Sequence, residues 1–530
     1  HEMGSQSSYF FEPMKANGSL DPIMPKDNYI KLNDLFASYF SKSLDSIGSL
    51  YFTKEAFDGT YPGYGSSYPD LQGGLGLLFE QASSRGHKQK TKYGYITFPF
   101  TIRNQFVSSM ATVQAAVENK STLRTYQKVF FKSAIEKSAK SKIKAYTFSE
   151  KDQNRNKAFI DKLIRHKVSV LKTGKNTFAV PTNQPQYRMV QTFFETYESY
   201  HDSVYYDASA WSVANFYNIK YASSNKIIRG TEIKSTEELI VLKPLELSSY
   251  AYAVDSKDYN LPAFIYEAQQ NKIVIAASFK PFAIKNKISF SYGSLMIPVA
   301  PQSLSEKELH ATLSTLQKKY SIQVHSVSSG FSSQGIDLGS RAIRPLDKPK
   351  ALMIIGKGIR SYEAGEVWHL LDTRVGMPIT KIRQNYFDRI KLEDYTTLVM
   401  VSGSYVWSKK IIDKIKNWVA KGNTIIAIGT ANNTLIKHKI IDEKRVILKK
   451  DSTTIATKRP YVEASENLGR EKLGGVFLKG IVDHTHPLGF GFTQKSVSLY
   501  KNNLVWFEPS KSNYGTPVAY AKNPHIDGYI

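Results

Sequence analysis

Short apolar runs alternate with amphipathic stretches through the last third of the chain, and this alternation restricts the fold more than any other feature of the sequence. It follows the Pro- and charge-rich segment RPLDKPK and begins with the apolar run ALMIIGKG. EAGEVWHLLDTRVG, YTTLVMV, SKKIIDKIKNWVAKG and NTIIAIG then have the spacing of helix, strand, helix and strand. Because strands separated by helices pair in parallel, the sequence predicts a doubly wound parallel sheet in residues 346–530.

Residues 121–345 predict an α/β unit followed by β-rich sequence. KIKAYTF is typical of a strand, DQNRNKAFIDKLIRHK of a helix and VSVLK of a strand, which is the order of a right-handed βαβ crossover. NKIVIAASF and KISFSYGSLMIPV alternate as strands do, and SEKELHATLSTLQKKY returns to helical spacing. At ~100–200 residues per domain, we expect an α/β protein of three regions, 1–120, 121–345 and 346–530.

The composition excludes several chemistries. The 530 residues contain no cysteine, so disulfides, thiolate nucleophiles, Cys-ligated zinc and iron–sulfur clusters are ruled out. Any metal must bind to His and carboxylate side chains. The net charge of +25 suits contact with an anionic surface or glycan, and no motif indicates a specific nucleic acid. No stretch reaches the ~20 apolar residues of a membrane span.

Two residues in the first 120 are candidates for chemistry. Glu80 ends the apolar run LGLLFE, between the predicted helices Asn33 to Ile47 and Phe106 to Val117. A carboxylate at the end of a buried strand is rigid and partly desolvated, as a general base requires. His1, in HEMGSQSS, lies beside a Gly- and Ser-containing turn that can present an imidazole to a metal. Without further context, a lone histidine or a strand-end glutamate is more often structural.

The run from His1 to about Asn119 resembles the C-terminal half of a zinc carboxypeptidase catalytic domain of the carboxypeptidase A type. Four features occur in the order of that family: HEMG, the tyrosine-rich loop Tyr61–Tyr68, LLFEQAS with Glu80, and the helix after FPFTIRNQ. The opening HEMG and the segment FEQASSRGH also resemble large bacterial members of the group. The resemblance implies an α/β catalytic domain, of which this chain carries the C-terminal half.

The same resemblance implies roles for individual residues. His1 would be the third ligand of a Zn²⁺ ion. Glu80 would take a proton from zinc-bound water and deliver it to the leaving amine. Tyr61 or Tyr64 would cap the substrate; the spacing fits either one, and packed loop aromatics are an equally good interpretation of both. In the family, the other two ligands form a His-x-x-Glu pair that precedes the third histidine, so we expect sequence upstream of His1 to complete the domain.

The leading hypothesis is therefore an exported bacterial metallocarboxypeptidase: secreted, periplasmic or at the cell surface, and acting on peptide C-termini or cell-wall peptides. The residues Gln-Ala-Ser after Glu80 differ from those of the best-known family members, which leaves the substrate preference open. The alternative hypothesis is a non-catalytic binding or scaffold protein at the cell surface. In that case the peptidase-like and amidotransferase-like domains would both have lost their activity.

Residues 346–530 resemble the class I glutamine amidotransferase fold, a flavodoxin-like sheet. That class uses a cysteine nucleophile at a strand-to-helix elbow, for which the nearest counterpart here is VSGSYVW, Val401 to Trp407. Ser402 or Ser404 would need an activating histidine, so we predict a non-catalytic domain. A structural turn is favoured over a metal site for His484 and His486, and a solvated basic face over a polyanion site for the Lys-rich stretch 120–151.

Overall fold

The computed structural model describes residues 2–3, 8–14, 20–198, 208–284, 288–447 and 458–530. The protein is mixed α/β, with both parallel and antiparallel sheets, which confirms the predicted class. The described residues form seven sheets of two to five strands. None of the helices in these ranges combines the length and the apolar character needed to cross a bilayer.

The first 140 residues build a four-stranded sheet with two long helices against one face. Its elements, which include a short hairpin and a further helix, are β1 (Glu2–Met3), β2 (Tyr9–Phe11), α1 (Lys26–Ser46), β3 (Tyr51–Phe52), α2 (Ser67–Asp70), β4 (Phe79–Ala82), β5 (Lys88–Thr91), β6 (Gly94–Thr97), α3 (Phe98–Glu118) and α4 (Lys120–Lys140). The strand order is β1-β4-β2-β3. Phe36, Phe40 and Leu44 recur at every fourth position of α1, so they face the sheet together and pack with Tyr9 and Phe11.

Two of the three long helices of this region, α1 and α3, begin earlier than the sequence predicted. Helix α1 starts at Lys26, earlier than the predicted Asn33, because Tyr29 and Leu32 are also buried. Helix α3 starts at Phe98, earlier than the predicted Phe106, because the Thr97 side chain accepts a hydrogen bond from the Phe100 N–H. Helix α4 buries Tyr126, Phe130, Ala134 and Ser138 at every fourth position and leaves most of its basic side chains exposed.

The second region is an antiparallel sheet covered by helices. Its elements are β7 (Ala145–Phe148), α5 (Gln153–Arg165), β8 (Leu171–Lys172), β9 (Phe178–Pro181), α6 (Tyr187–Phe194), α7 (Val213–Phe216), β10 (Tyr221–Ser224) and β11 (Thr231–Glu232). The order is β10-β7-β9-β8-β11. Strands β7 and β8 run parallel on either side of α5, as predicted, but β9 lies between them and pairs antiparallel with both. The unit is therefore a split βαβ rather than a simple crossover.

The third region contains a five-stranded and a three-stranded sheet. Its elements are β12 (Ala251–Val254), α8 (Leu261–Gln270), β13 (Ala276–Ser278), β14 (Phe282–Ala283), β15 (Ser289–Phe290), β16 (Leu295–Pro298), α9 (Glu306–Tyr320), β17 (Val324–Val327), β18 (Gln334–Gly335) and β19 (Ile343–Pro345). The five-stranded order is β17-β12-β16-β13-β19, with antiparallel neighbours throughout. Helix α9 matches its predicted span, since Ser305 and Glu308 form a capping box at its start.

The last region begins with a parallel sheet and ends with an antiparallel one. Its elements are β20 (Ala351–Ile355), α10 (Ser361–His369), β21 (Thr380–Arg383), β22 (Thr397–Met400), α11 (Lys409–Ala420), β23 (Thr424–Ala427), α12 (Ala431–Lys437), α13 (Ala464–Arg470), β24 (Val476–Val482), β25 (Ser496–Lys501) and β26 (Val518–Asp527). The parallel order is β21-β20-β22-β23. Strand β24 pairs antiparallel with β25 and β26.

Candidate functional site

Glu80 is the second residue of β4, an inner strand of the first sheet. Strand β1 pairs with β4 in parallel, with Glu2 opposite Gln81, and β2 pairs antiparallel, with Phe10 opposite Glu80. Directly opposite residues project from the same face of a sheet. Glu80 and Phe10 therefore share the face that points away from α1 and α3. The glutamate is 8% exposed, so its carboxylate is largely withdrawn from water.

A cluster of apolar side chains lies on the sheet face that Glu80 shares with Phe10. Phe10 packs with Met3 and Met14 in a buried cluster, to which Leu78 and Phe52 also belong. Burial raises the pKa of the Glu80 carboxyl above its ordinary value, because the charged form loses hydration. A carboxylate of raised pKa is a stronger base and accepts a proton from water more readily. Burial and a raised pKa are two properties that a general base requires, and the catalytic role of Glu80 stays a prediction.

The position of β4 is fixed from the helix side by a polar contact. The Gln81 carbonyl oxygen Oε1 accepts a hydrogen bond from Asn104 Nδ2 of α3, at 2.9 Å. Next to it, the Tyr9 hydroxyl donates to Gln105 Oε1 at 3.0 Å. On the edge side, the Ser83 hydroxyl donates to Glu2 Oε2 at 2.8 Å. Strand β4 is thus tied to α3 and to β1 immediately after Glu80.

A second buried glutamate, which sequence reasoning missed, holds the start of the same strand. The carboxylate of Glu12 accepts hydrogen bonds from the Leu78 N–H (3.0 Å), the Tyr29 hydroxyl (2.6 Å) and Asn33 Nδ2 (3.3 Å). Burial raises the pKa of Glu12 to about 7. Glu12 follows the apolar run YFF much as Glu80 follows LLF, and this shared pattern was the available signal.

Tyr61 and Tyr64 lie together in the loop that precedes α2. Their rings meet edge to face with centroids 5.2 Å apart. The Tyr61 ring lies over Gly63, where a Cβ atom would come within 2.4 Å of the ring, so a larger residue at this position would displace Tyr61. The structure therefore brings the two predicted substrate-binding tyrosines into one aromatic pair, on a loop rather than on the strand that carries Glu80.

The segment between the tyrosine pair and β4 is held by Asp70, a further residue that the sequence did not single out. Asp70 Oδ1 accepts a hydrogen bond from the Gly76 N–H at 2.7 Å, which closes the turn that leads into β4. Burial raises the pKa of Asp70 to about 9. Asp70 is 2% exposed, and a pKa of about 9 keeps its carboxyl group protonated at neutral pH. Its role is therefore structural, since it holds the turn at Gly76.

The predicted zinc ligand His1 lies outside the described residues. Within the ranges that the structure describes, no three His, Asp or Glu side chains converge as ligands of a metal ion. Structural and catalytic zinc sites take at least three protein ligands. The described residues therefore do not make up a zinc site by themselves.

In the candidate elbow of the last region, Ser402 is buried and Ser404 is exposed, and both are hydrogen-bonded to neighbouring loops. Ser402 follows β22, its N–H donates to Glu363 Oε2 at 2.8 Å, and its hydroxyl accepts from the Thr430 N–H at 3.2 Å. The Ser404 N–H donates to the Gly358 carbonyl, which joins the loops after β20 and β22. These bonds give Ser402 a packing role at the carboxyl edge of the parallel sheet.

His484 and His486 both bond to the backbone of their own segment. His484 Nε2 lies 2.7 Å from the Gln494 carbonyl oxygen, and His486 Nδ1 accepts a hydrogen bond from the Leu488 N–H at 3.1 Å. Each ring thus has a local structural partner, as the predicted turn requires.

These features define a mixed α/β protein with a buried, strand-borne glutamate in its first sheet and a parallel sheet near its C-terminal end. No protein-family profile matches the chain, and no curated protein matches it. Among solved structures, a match is the crystal structure of a putative GMP synthase subunit from Thermoplasma acidophilum. It is 10% identical, with a TM-score of 0.22, and the match covers 33% of this chain and 75% of that one.

Proposed function

We propose that the chain is part of a zinc-dependent metallocarboxypeptidase-like hydrolase that acts on peptide C-termini or cell-wall peptides. The observation that carries the proposal is the setting of Glu80 on an inner strand, 8% exposed, with a pKa that burial raises. Strand β1 begins at Glu2, the residue after His1, and pairs in parallel with the strand of Glu80. Glu2, which follows His1 in the sequence, is thus paired with Gln81, which follows Glu80.

The proposed role of Glu80 is proton transfer. Its carboxylate takes a proton from the attacking water as the new C–O bond forms at the scissile carbonyl. The same carboxyl then gives that proton to the amine nitrogen as the C–N bond breaks. The burial of Glu80 favours both steps, because a partly desolvated carboxylate binds and releases a proton nearer to neutral pH. Tyr61 or Tyr64 would close over the substrate from the loop before α2.

We include zinc in the proposal because residues 1–119 resemble the zinc carboxypeptidase family. His1 would be one ligand, and the remaining ligands would come from outside the described residues. Residues 346–530 would be an amidotransferase-like accessory domain without catalysis, because the chain has no cysteine and Ser402 is used in packing. The resemblance also implies an exported bacterial location, and the net charge of +25 suits contact with anionic surfaces or glycans.

The test compares Glu80→Gln with Glu363→Gln in the full-length gene product. Both glutamates are 8% exposed, so Glu363 controls for the effect of a buried amide. The substrates are blocked dipeptides with apolar, basic or acidic C-terminal residues, and bound zinc is measured in every preparation. We expect Glu80→Gln to lower kcat by at least about 100-fold, the usual scale of general-base catalysis. Glu363→Gln should keep the wild-type rate.

The pH profile of the wild type provides a second readout. The base must be deprotonated, so kcat should rise with pH through an apparent pKa that lies above 4.5, in the direction that burial shifts Glu80. Equal activity of Glu80→Gln and the wild type would remove Glu80 from the proposed role. A zinc-loaded wild type without peptidase activity would instead favour the non-catalytic binding protein.

A further inference from the structure

A cavity of about 460 Å³ lies between the five-stranded sheet of the third region and the loop 487–492. Its floor is formed by Ala277 and Leu295 on neighbouring strands, and Leu261 and Ile265 of α8 form one side. The volume is within the ~300–1,000 Å³ of typical small-molecule sites. The lining is mainly apolar, so the cavity suits the hydrocarbon part of a ligand.

The opposite wall is held in place by two close backbone approaches. Phe490 packs against Gly293, where a Cβ atom would come within 2.6 Å of the Phe490 Cβ. Gly491 approaches the Ser256 carbonyl oxygen so closely that a Cβ atom would lie 2.7 Å from it. Gly293 and Gly491 have φ of +79° and +82°, a conformation that favours glycine. The loop is therefore fitted to the sheet, and the cavity is preformed.

Two aromatic residues that line the cavity, Phe279 and Tyr259, each have an arginine guanidinium over the ring. The Arg344 guanidinium lies 4.3 Å from the ring centre of Phe279, and that of Arg374 lies 3.6 Å from the ring centre of Tyr259. Arg155 also approaches Tyr259, at 5.1 Å. Arg374 Nη2 donates to the Tyr259 carbonyl oxygen and Arg155 Nη1 to the Tyr217 carbonyl oxygen, both at 3.0 Å. A guanidinium stacked on a ring can still bind a carboxylate through its N–H edge, and Arg344 is the best placed of the three to do so.

The other charged groups at the cavity leave the rim cationic. Lys257 and Asp258 both line it. The Asp258 carboxylate already accepts hydrogen bonds from Asn154 Nδ2 (2.9 and 3.0 Å) and from the Asn260 N–H (2.8 Å). Arg155 has a close acidic neighbour in Asp152, at 3.4 Å. Arg344 lies directly opposite the lining residue Ala277 in the pair of β13 and β19, so Arg344 projects from the same sheet face and joins Lys257 as a second cation beside Asp258.

We propose that this cavity binds a small apolar carboxylate. The hydrocarbon part would lie on Ala277 and Leu295 between the aromatic walls, and the carboxylate would face Lys257 and Arg344 at the rim. Phe279 and Tyr259 would contact the ligand on the side not covered by arginine. The site is remote in sequence from Glu80 and does not depend on the proposed peptidase activity.

The experiment measures ligand binding to the full chain by isothermal titration calorimetry. The probes are octanoate and 4-phenylbutyrate, with octanamide and 4-phenylbutyramide as uncharged counterparts of the same shape. We expect one saturable site for the carboxylates and at least tenfold weaker binding of the amides. Absence of saturable binding at millimolar ligand, or equal affinity for acid and amide, would overturn the proposal.

Matched variants locate the binding site. Ala277→Leu fills the floor of the cavity and should abolish binding. Ala116 lines a different apolar cavity, of about 330 Å³, so the control variant Ala116→Leu should leave ligand affinity unchanged. Arg344→Gln should weaken carboxylate binding about tenfold, while Arg341→Gln, also exposed but without the Phe279 contact, should leave it intact. Circular dichroism checks that each variant is folded. Wild-type affinity in both Ala277→Leu and Arg344→Gln would exclude this cavity.

Discussion

Asp70→Asn should make the stability of the first region less sensitive to a rise in pH through neutrality, and the size of the effect follows from the burial of this side chain. Burial raises the pKa of Asp70 from 3.8 to about 9 in the folded chain. Between pH 5 and pH 8 the unfolded chain carries an ionised aspartate, whereas the folded chain keeps the proton. The folded state binds more protons in this window, so its stability falls as the pH rises.

The expected magnitude is large for one side chain. Each pH unit in the window lowers the free energy of unfolding by about 1.4 kcal/mol, which gives about 4 kcal/mol between pH 5 and pH 8. Asparagine does not ionise, and its carbonyl oxygen can still accept the hydrogen bond from the Gly76 N–H. Relative to the wild type, Asp70→Asn should therefore gain about 4 kcal/mol on going from pH 5 to pH 8.

A local measurement is needed, because a chain of several sheets does not unfold in one step. Native-state hydrogen exchange with mass spectrometry reports the opening of residues 58–80 in wild type and variant at each pH. Asp27→Asn in α1, where the aspartate is exposed, is the control for loss of a carboxyl group. If Asp70→Asn and the wild type show the same change in protection between pH 5 and pH 8, Asp70 is not a buried neutral carboxyl and the reasoning fails.

Two further predictions concern packing and a buried cation. Phe40→Ala should destabilise the first region by about 3–5 kcal/mol in native-state hydrogen exchange, because Phe40 is fully buried. Phe106→Ala, at a site 64% exposed, should stay within about 0.5 kcal/mol of the wild type. Burial lowers the pKa of Lys501 from 10.5 to about 8, so the unfolded chain binds more protons between these values and stability rises with pH there. Lys501→Met should abolish that rise in thermal melts from pH 8 to pH 10, and an unchanged rise would contradict it.

Elements with strong periodicity could be predicted from the sequence. The alternation after Lys350 predicted three of the four parallel strands, β20, β22 and β23, and the helices α10 and α11, because buried strands and amphipathic helices have distinct patterns. Strand β21 (Thr380–Arg383), at the edge of the sheet, was not predicted. Helix α9 could be placed because Ser305 and Glu308 combine a cap with helical spacing. These signals are local, so each can be recognised without knowledge of the rest of the chain.

Pairing between distant segments could not be predicted in the same way. Strand β9 inserts between β7 and β8, and nothing in its four residues indicates which partners it takes. Strand β1 has two residues in the described ranges, too few for any periodic pattern, yet it pairs with the strand of Glu80. Such contacts depend on how whole units pack, which single-segment patterns do not contain.

The candidate site shows the same division between local and non-local information. Glu80 was recognisable because a glutamate at the end of an apolar run is unusual. Asp70 was not, since it occurs in a polar, tyrosine-rich loop and becomes buried only when the turn to Gly76 closes over it. Burial of a carboxyl group is a property of the folded chain, so a hydrophobicity pattern in the sequence cannot reveal it.

A raised pKa does not by itself distinguish a catalytic carboxyl from a structural one, because Glu12, Asp70 and Glu80 all have one. Their accessible surface separates them. Glu12 is fully buried and Asp70 is 2% exposed, and each accepts a backbone N–H that closes a turn or fixes a strand. Their carboxyl oxygens are used inside the fold. A general base must reach water and substrate, and Glu80 keeps more accessible surface than either, on the sheet face away from the helices. The proposal that Glu80 is the general base therefore depends on its access together with its burial, because a raised pKa alone does not separate it from Glu12 and Asp70.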